Sequence, residues 1–235
     1  MPKGTLFLLP VPLAENSADR VLTNYQTNLI NNLSVYIVEN EKTARFWLKN
    51  MGLKIPQNEL LIHVYGKHSE KVDMREYFNE LENGKDVGLM SEAGCPAVAD
   101  PGSDLVAEAH RRGIKVHPLV GPSSILLALM ASGFNGQSFC FHGYLPIDKA
   151  QRSKRIKELE SAADRQNQTQ IFIETPFRNN QILEDVLKSC NGRTRLCVAC
   201  NISGSDEQII SKPIEQWRKN KVDFHKKPAI FLISK

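Results

Sequence analysis

The sequence predicts an α/β protein in two halves, with a mostly parallel sheet in the first half and a mixed sheet in the second. Three observations predict it. Short apolar runs alternate with stretches of helical periodicity along most of the chain. Loops rich in Gly and Pro follow three of the apolar runs, as at the strand ends of an open sheet. Toward the end, two apolar runs stand without a long helix between them, which points to antiparallel strands. A boundary near Val120 gives one domain over residues 1–120 and a second over 121–235.

The elements follow in order. Thr5–Leu9 reads as a strand. Ser17–Leu33 carries Val21, Leu22, Tyr25, Leu29 and Leu33 at helical spacing, with Ser17 as its cap. Ser34–Glu39 is a strand, Glu41–Met51 a helix stopped by Gly52, and Leu60–Tyr65 a strand. Val72–Leu81 is helical, Asp86–Met90 a strand, Ser103–Arg112 a helix closed by Gly113, and Ile114–Pro118 a strand. The second half opens with a helix over Ser123–Ala131 and a strand over Phe139–Tyr144. A basic helix from about Lys149 precedes strand Gln170–Thr175, helix Asn179–Ser189 and strand Arg195–Asn201. Glu207–Ile210 and Ala229–Ile233 are the antiparallel strands.

Composition narrows the class. The chain has 235 residues, 41% hydrophobic and 24% charged, which is ordinary for a globular protein. The longest apolar run is too short to span a bilayer, so no membrane association is expected. MPKGTLFLLPVPL looks superficially like a signal peptide, but Pro10 and Pro12 break it, and it reads as the first strand. Five cysteines without framework spacing favour a reducing cytoplasm. A formal charge of +4 permits an anionic partner without requiring one.

Several familiar sites are missing. There is no GxGxxG, no GxxxxGK[ST] and no GxSxG. Cys197 and Cys200 form a lone CxxC inside an apparent strand, and the six histidines are scattered, so no metal is expected. His110 and His117 read as surface or packing residues. Three loops remain: Ser91–Val106, Pro118–Ser124 and Ile173–Arg178. Ligands of open α/β sheets bind beyond the carboxyl ends of strands. Small residues there let a ligand approach the backbone.

The residues in these loops resemble the tetrapyrrole methylase superfamily of S-adenosylmethionine-dependent methyltransferases. Within it, the chain is most similar to the branch that methylates a cytidine ribose 2′-hydroxyl of small-subunit ribosomal RNA. That branch's SDAGTPxxSDPG loop stands here as Ser91–Gly102, its GPS loop as Gly121-Pro122-Ser123, and its YESPHR element as Ile173-Glu174-Thr175-Pro176-Phe177-Arg178. Its AEDTRxTR element is matched more loosely by Val38–Arg45, and a basic segment follows Leu145-Pro146. The resemblance covers essentially the whole chain.

It implies S-adenosylmethionine as cofactor, folded in a cleft between the two halves. Ala93, Gly94 and Cys95 would meet its methionyl part, with Val98 beside them and Ser123 and Ser124 across the cleft. Ile173, Glu174, Asn201, Ile202 and Ala229 would surround the adenosine, and Pro12 and Leu13 would close the cleft. Glu39, Glu174 and Asp100 are candidates to activate the acceptor hydroxyl, each also readable as a structural carboxylate paired with Arg45 or Arg178. Arg45, Lys149, Arg152, Lys154, Arg155, Lys157 and Arg178 are candidates for RNA phosphates, or else a solvated charged face. The partner implied is ribosomal RNA or the small ribosomal subunit, and the assembly implied is a homodimer.

Departures from the pattern weaken the substrate side most. The family's TPIGNLED is here Val11–Ala18, with no glycine, and ARELTK is here Ala199–Gly204, without its Arg and Glu. A histidine-rich element is replaced by Tyr65-Gly66-Lys67-His68, and the extra C-terminal module of many relatives has no counterpart before Lys235. Two other readings therefore stay open: a methylase of a tetrapyrrole-like small molecule, and a cofactor-binding module without catalysis.

Overall fold

The computed structural model describes residues 2–66 and 74–235. The chain divides into two units, Met1–Ser123 and Ser124–Lys235.

In the first unit, β1 (Thr5–Leu9) is followed by two short helices, α1 (Ala18–Val21) and α2 (Asn24–Ile30), where the sequence suggests one. The reason is local. Thr23 is extended, accepts from the Gln26 backbone N–H and receives the Gln26 side chain on its own N–H, a capping box that starts a new helix. Ser17 is not the cap expected of it, because its hydroxyl donates to the Ala14 carbonyl at 2.7 Å. Next come β2 (Val35–Val38), α3 (Glu41–Asn50), a 3₁₀ turn (Gln57–Glu59) and β3 (Leu61–Val64). Asn40 caps α3 by accepting from the Thr43 N–H. The unit continues with α4 (Met74–Glu82), β4 (Val87–Met90), α5 (Ser103–Arg111) and β5 (Lys115–Pro118). The expected start of α4 at Val72, and the Lys67-His68 part of the loop after β3, lie outside the described residues.

The strands take the order β3-β2-β4-β1-β5, all parallel. Both faces are covered, which explains runs such as Val35–Val38, buried at every position. Tyr36, Val38, Leu9 and Met90 pack with Ile30, Leu48 and Trp47 on one face. Val35, Ile37, Leu6 and Leu89 pack with Phe78, Leu81 and Leu105 on the other.

The second unit runs α6 (Ser124–Ser132), β6 (Phe139–Tyr144), α7 (Lys149–Gln166), β7 (Thr169–Ile173), a 3₁₀ turn (Pro176–Arg178), α8 (Asn179–Ser189), β8 (Arg195–Cys200), β9 (Gln208–Pro213), α9 (Ile214–Trp217) and β10 (Ala229–Ser234). Its order is β6-β7-β10-β8-β9. β6 and β7 are parallel, and the other pairs are antiparallel, a mixed sheet. β7 ends at Ile173 rather than Thr175, because Pro176 lacks the N–H a ladder needs and opens the 3₁₀ turn. Phe172 stacks on Phe231 with ring centroids 5.5 Å apart. They pack with Ile156, Ile182, Val186 and Trp217.

The CxxC cysteines are both buried in β8, and Cys200 packs in the cluster that Cys197 does not join. Residues three apart on a strand point to opposite faces, so the two thiols cannot share an ion. Among the described residues no group of His, Cys, Asp and Glu could hold a metal, and no helix is long and apolar enough to cross a membrane.

Candidate functional site

In the first unit the candidate residues gather at one edge of the sheet. The registers Leu9↔Met90, Val38↔Met90 and Val38↔Val64 align the carboxyl ends of β1, β4, β2 and β3. Pro10, Ser91, Glu39 and Tyr65 therefore follow neighbouring strands at the edge where open α/β sheets bind ligands.

Two loops are tied there backbone to backbone. Val11 and Gly94 exchange both hydrogen bonds, at 2.8 and 2.9 Å. Gly94 sits at φ +75°, and a side chain would meet Leu13 at 3.2 Å. Its own N–H and C=O are thus used within the protein, and what it offers is a backbone that only glycine adopts without strain. Ala97 and Ala99 hold positive φ of 65° and 66° in the same loop, a conformation that alanine rarely adopts. The Cys95 thiol donates toward the Pro122 carbonyl at 3.3 Å, and burial pushes its pKa up. Gly121 lies against Pro10 so tightly that an added Cβ would stand 2.1 Å from the proline ring. Pro12 and Leu13, Gly94 and Cys95, and the Gly121–Ser123 loop are thus one packed assembly. Ala93 and Val98 face solvent from it, an apolar surface for the aliphatic stem of a ligand.

Beside this assembly a cavity of about 340 Å³ is lined by Tyr65, Gly66, Ala99, Asp100 and Pro101. Tyr65 donates to the Asp104 carboxylate. Burial first, and then that bond, raise its phenol pKa. Arg45, a candidate for RNA, is held by Glu41 at 2.7 Å and by the Gln57 carbonyl.

In the second unit, Ile173 ends β7, Asn201 follows β8, and antiparallel β10 begins with Ala229. The registers Ile230↔Ile173 and Ala229↔Cys200 bring these three positions to one sheet edge. Asn201 donates its N–H to the Pro228 carbonyl at 2.9 Å and its amide to Asp206 at 2.6 Å, with φ +49°. Glu174 is buried. One oxygen accepts from the Thr175 N–H at 2.8 Å, and the other lies 3.1 Å from the Arg178 guanidinium. Both a paired and a catalytic role for this carboxylate are open in the sequence, and the structure places it beside Arg178.

One candidate needs correcting. Arg152, expected to face RNA phosphates, is fully buried. Its guanidinium lies 2.6 Å from Asp185 and donates to the Pro146 and Ile147 carbonyls. Helical spacing is the reason: Ile156, Leu159 and Ala163 define the buried face of α7, and Arg152 is one turn before Ile156. Lys149, Lys154 and Lys157 are exposed on the same helix, and Arg155 is partly so. Sequence reasoning passed over Phe177 and His225, an exposed ring pair with centroids 6.1 Å apart, because exposure of an apolar residue leaves no mark on periodicity.

A parallel sheet covered on both faces, small-residue loops packed at its carboxyl edge and a mixed second sheet define a ligand-binding α/β protein with two sheets. Comparison with known proteins makes the class specific. Residues 17–217 match the family model described as Tetrapyrrole (Corrin/Porphyrin) Methylases, and the chain belongs to that family. "Ribosomal RNA small subunit methyltransferase I" of Buchnera aphidicola subsp. Schizaphis graminum is 30% identical over 233 residues, 98% of this chain and 78% of the relative. The protein of that name from Pseudomonas aeruginosa is 28% identical over 218 residues, 92% of this chain and 72% of the relative. Among solved structures, the methyltransferase CobJ matches with a TM-score of 0.62 and 18% identity, covering 100% of this chain and 94% of that one. Uroporphyrin III C-methyl transferase from Thermus thermophilus matches with 0.61 and 15%, covering 99% and 98%. At such identities these two structures speak for the fold alone.

Proposed function

We infer that this protein is an S-adenosylmethionine-dependent methyltransferase acting on small-subunit ribosomal RNA, with a ribose 2′-hydroxyl as the acceptor. The observation that carries the reading is the co-linear similarity over 98% of the chain to a relative named for methylating that RNA. The two structural neighbours, a methyltransferase and a uroporphyrin III C-methyl transferase, share only fold-level similarity, so they do not favour the small-molecule reading.

In the first unit, Ala93, Cys95 and Val98, with Pro12, Leu13 and Ser123, take the methionyl end of the cofactor. Gly94 keeps the loop close to Val11 so that this surface stays open. In the second unit, Ser124, Ile173, Asn201, Ile202 and Ala229 take the adenosine, and Glu174 holds their loop through Arg178. Bound S-adenosylmethionine supplies a methyl group on a sulfonium, whose departure leaves a neutral thioether. The protein's task is to align the acceptor oxygen with that methyl, and alignment alone accounts for a large share of such accelerations. Glu39, at the carboxyl end of β2, takes the hydroxyl proton. Lys149, Lys154 and Arg155 on α7 hold phosphates. A homodimer and a cytoplasmic setting, where the five free cysteines stay reduced, complete the reading.

Isothermal titration with S-adenosylmethionine, followed by transfer of a labelled methyl group to small ribosomal subunits, tests it. Gly94→Val forces a branched residue to φ +75° against Leu13, and cofactor binding is expected to vanish while the fold survives. Binding without transfer to RNA would leave only a cofactor-binding module.

A further inference from the structure

We propose that Phe177 and His225 form a stacking platform for a single-stranded nucleobase of the RNA. This rests on the RNA reading above and adds a contact that the basic helix α7 does not supply.

Phe177 is 69% exposed, the most exposed of the described aromatic residues. An apolar ring on the surface is unremarkable by itself, but this one sits on rigid backbone. Pro176 fixes the start of its 3₁₀ turn, and the Arg178 N–H returns to the Thr175 carbonyl at 2.9 Å. A second loop is stitched to the turn. The Lys226 N–H donates to the Pro176 carbonyl at 3.0 Å, and the Asn179 amide to the Lys227 carbonyl at 2.6 Å. The Asn180 oxygen accepts from the Phe224 N–H at 2.8 Å, and Phe224 is fully buried as an anchor. These bonds present the exposed His225 ring edge-on to Phe177, at 75° between planes.

Most of the exposed charges around the pair are cationic, with Asp223 as an exposed acid beside them. His225 and Lys226 are exposed, and Lys227 and Arg178 are partly so. The nearby acids are engaged: Glu174 is buried with Arg178, and Asp223 accepts from the Asn180 amide and the His225 N–H. A fixed aromatic face bordered by cations is how single-stranded nucleic acid is held without reading sequence, base on ring and phosphate on lysine. A base stacked on Phe177 would leave its flanking phosphates to Lys226 and Lys227.

The test uses the full chain and a fluorescent single-stranded RNA oligonucleotide of mixed sequence, read by anisotropy at several salt concentrations. Phe177→Ala is expected to weaken binding by about fivefold to a hundredfold, the range for loss of one stacked base. Phe177→Tyr should restore wild-type affinity, and Phe177→Leu, which keeps apolar area without a π-face, should not. Affinity for S-adenosylmethionine and the melting temperature should stay at wild-type values in all three. Equal affinity of the Leu and Tyr variants, or no loss with Ala, overturns the platform while leaving RNA binding intact. Absence of salt-dependent binding by the wild-type chain overturns the RNA reading itself, and the platform with it.

Discussion

Replacing Arg152 with Ala separates a buried structural arginine from a phosphate-binding one. The side chain is fully buried, with Nε 2.8 Å and Nη2 2.6 Å from the same Asp185 oxygen. Its Nη1 donates to the Ile147 carbonyl at 2.5 Å and the Pro146 carbonyl at 3.2 Å, fastening the segment that leads into α7. Alanine removes all four contacts and leaves the Asp185 carboxylate, 5% exposed, without its cation. Breaking one side of a buried pair costs about 3–5 kcal/mol. For a chain of this size that lowers the melting temperature on the order of 10 °C. The assay is denaturant unfolding together with RNA titration, normalised to the folded fraction. The Arg152→Met, Asp185→Leu double variant removes both charges and should regain most of the stability. RNA affinity per folded molecule should match wild type. A stable Arg152→Ala protein with weakened RNA binding would refute the burial argument and return Arg152 to the RNA surface.

Other outcomes follow from the same geometry. Glu174→Gln loses a charged partner for Arg178 and should lower stability with turnover per folded molecule nearly unchanged, whereas Glu39→Gln should lower turnover by about a hundredfold at constant melting temperature. Reversing Lys154 and Arg155 to Glu should weaken RNA binding and flatten its salt dependence without touching cofactor affinity. His142 is held neutral: Arg155 can only donate to Nδ1, at 3.1 Å, so Nε2 carries the hydrogen toward Gln170, at 2.7 Å. Burial lowers its pKa, the Gln170 bond opposes this, and the Arg155 charge adds to the lowering. The unfolded chain therefore binds the proton more readily, and stability should fall as the pH drops below the ordinary value of 6.5. Thermal melts of His142→Gln across that range should lack this part of the decline.

Much of this was readable in the sequence because the strands follow one another with regular punctuation. Val35–Val38 and Val87–Met90 are apolar throughout, as doubly covered strands must be, and the Gly and Pro positions mark the loops that meet at the sheet edge. What was not readable depends on contacts between distant residues. Nothing in Arg152 distinguishes it from Lys154 until Asp185, 33 positions later, is seen beside it. Gly94 looked like a place for a ligand to meet the backbone, yet its hydrogen bonds belong to Val11. The break at Thr23 is a competition between two helix starts, and hydrophobic spacing does not register it. The 3.1 Å approach of Glu174 to Arg178 is one of two readings open in the sequence, and spacing alone does not announce it.

The place of β10 has a consequence for synthesis. It lies between β7 and β8, bonded to both, so β6-β7 and β8-β9 are separate ribbons until residues 229–234 arrive. Ile230, Phe231, Leu232 and Ile233, all buried, close the unit in one late step. On the ribosome, strands β7 and β8 must wait with open edges while β9 and the segment beyond it are translated. A nascent chain arrested shortly before residue 229 should thus expose two open strand edges and become a target for chaperones. In the first unit the strand that joins the others is β4, between β2 and β1, and it is made before the last strand, β5.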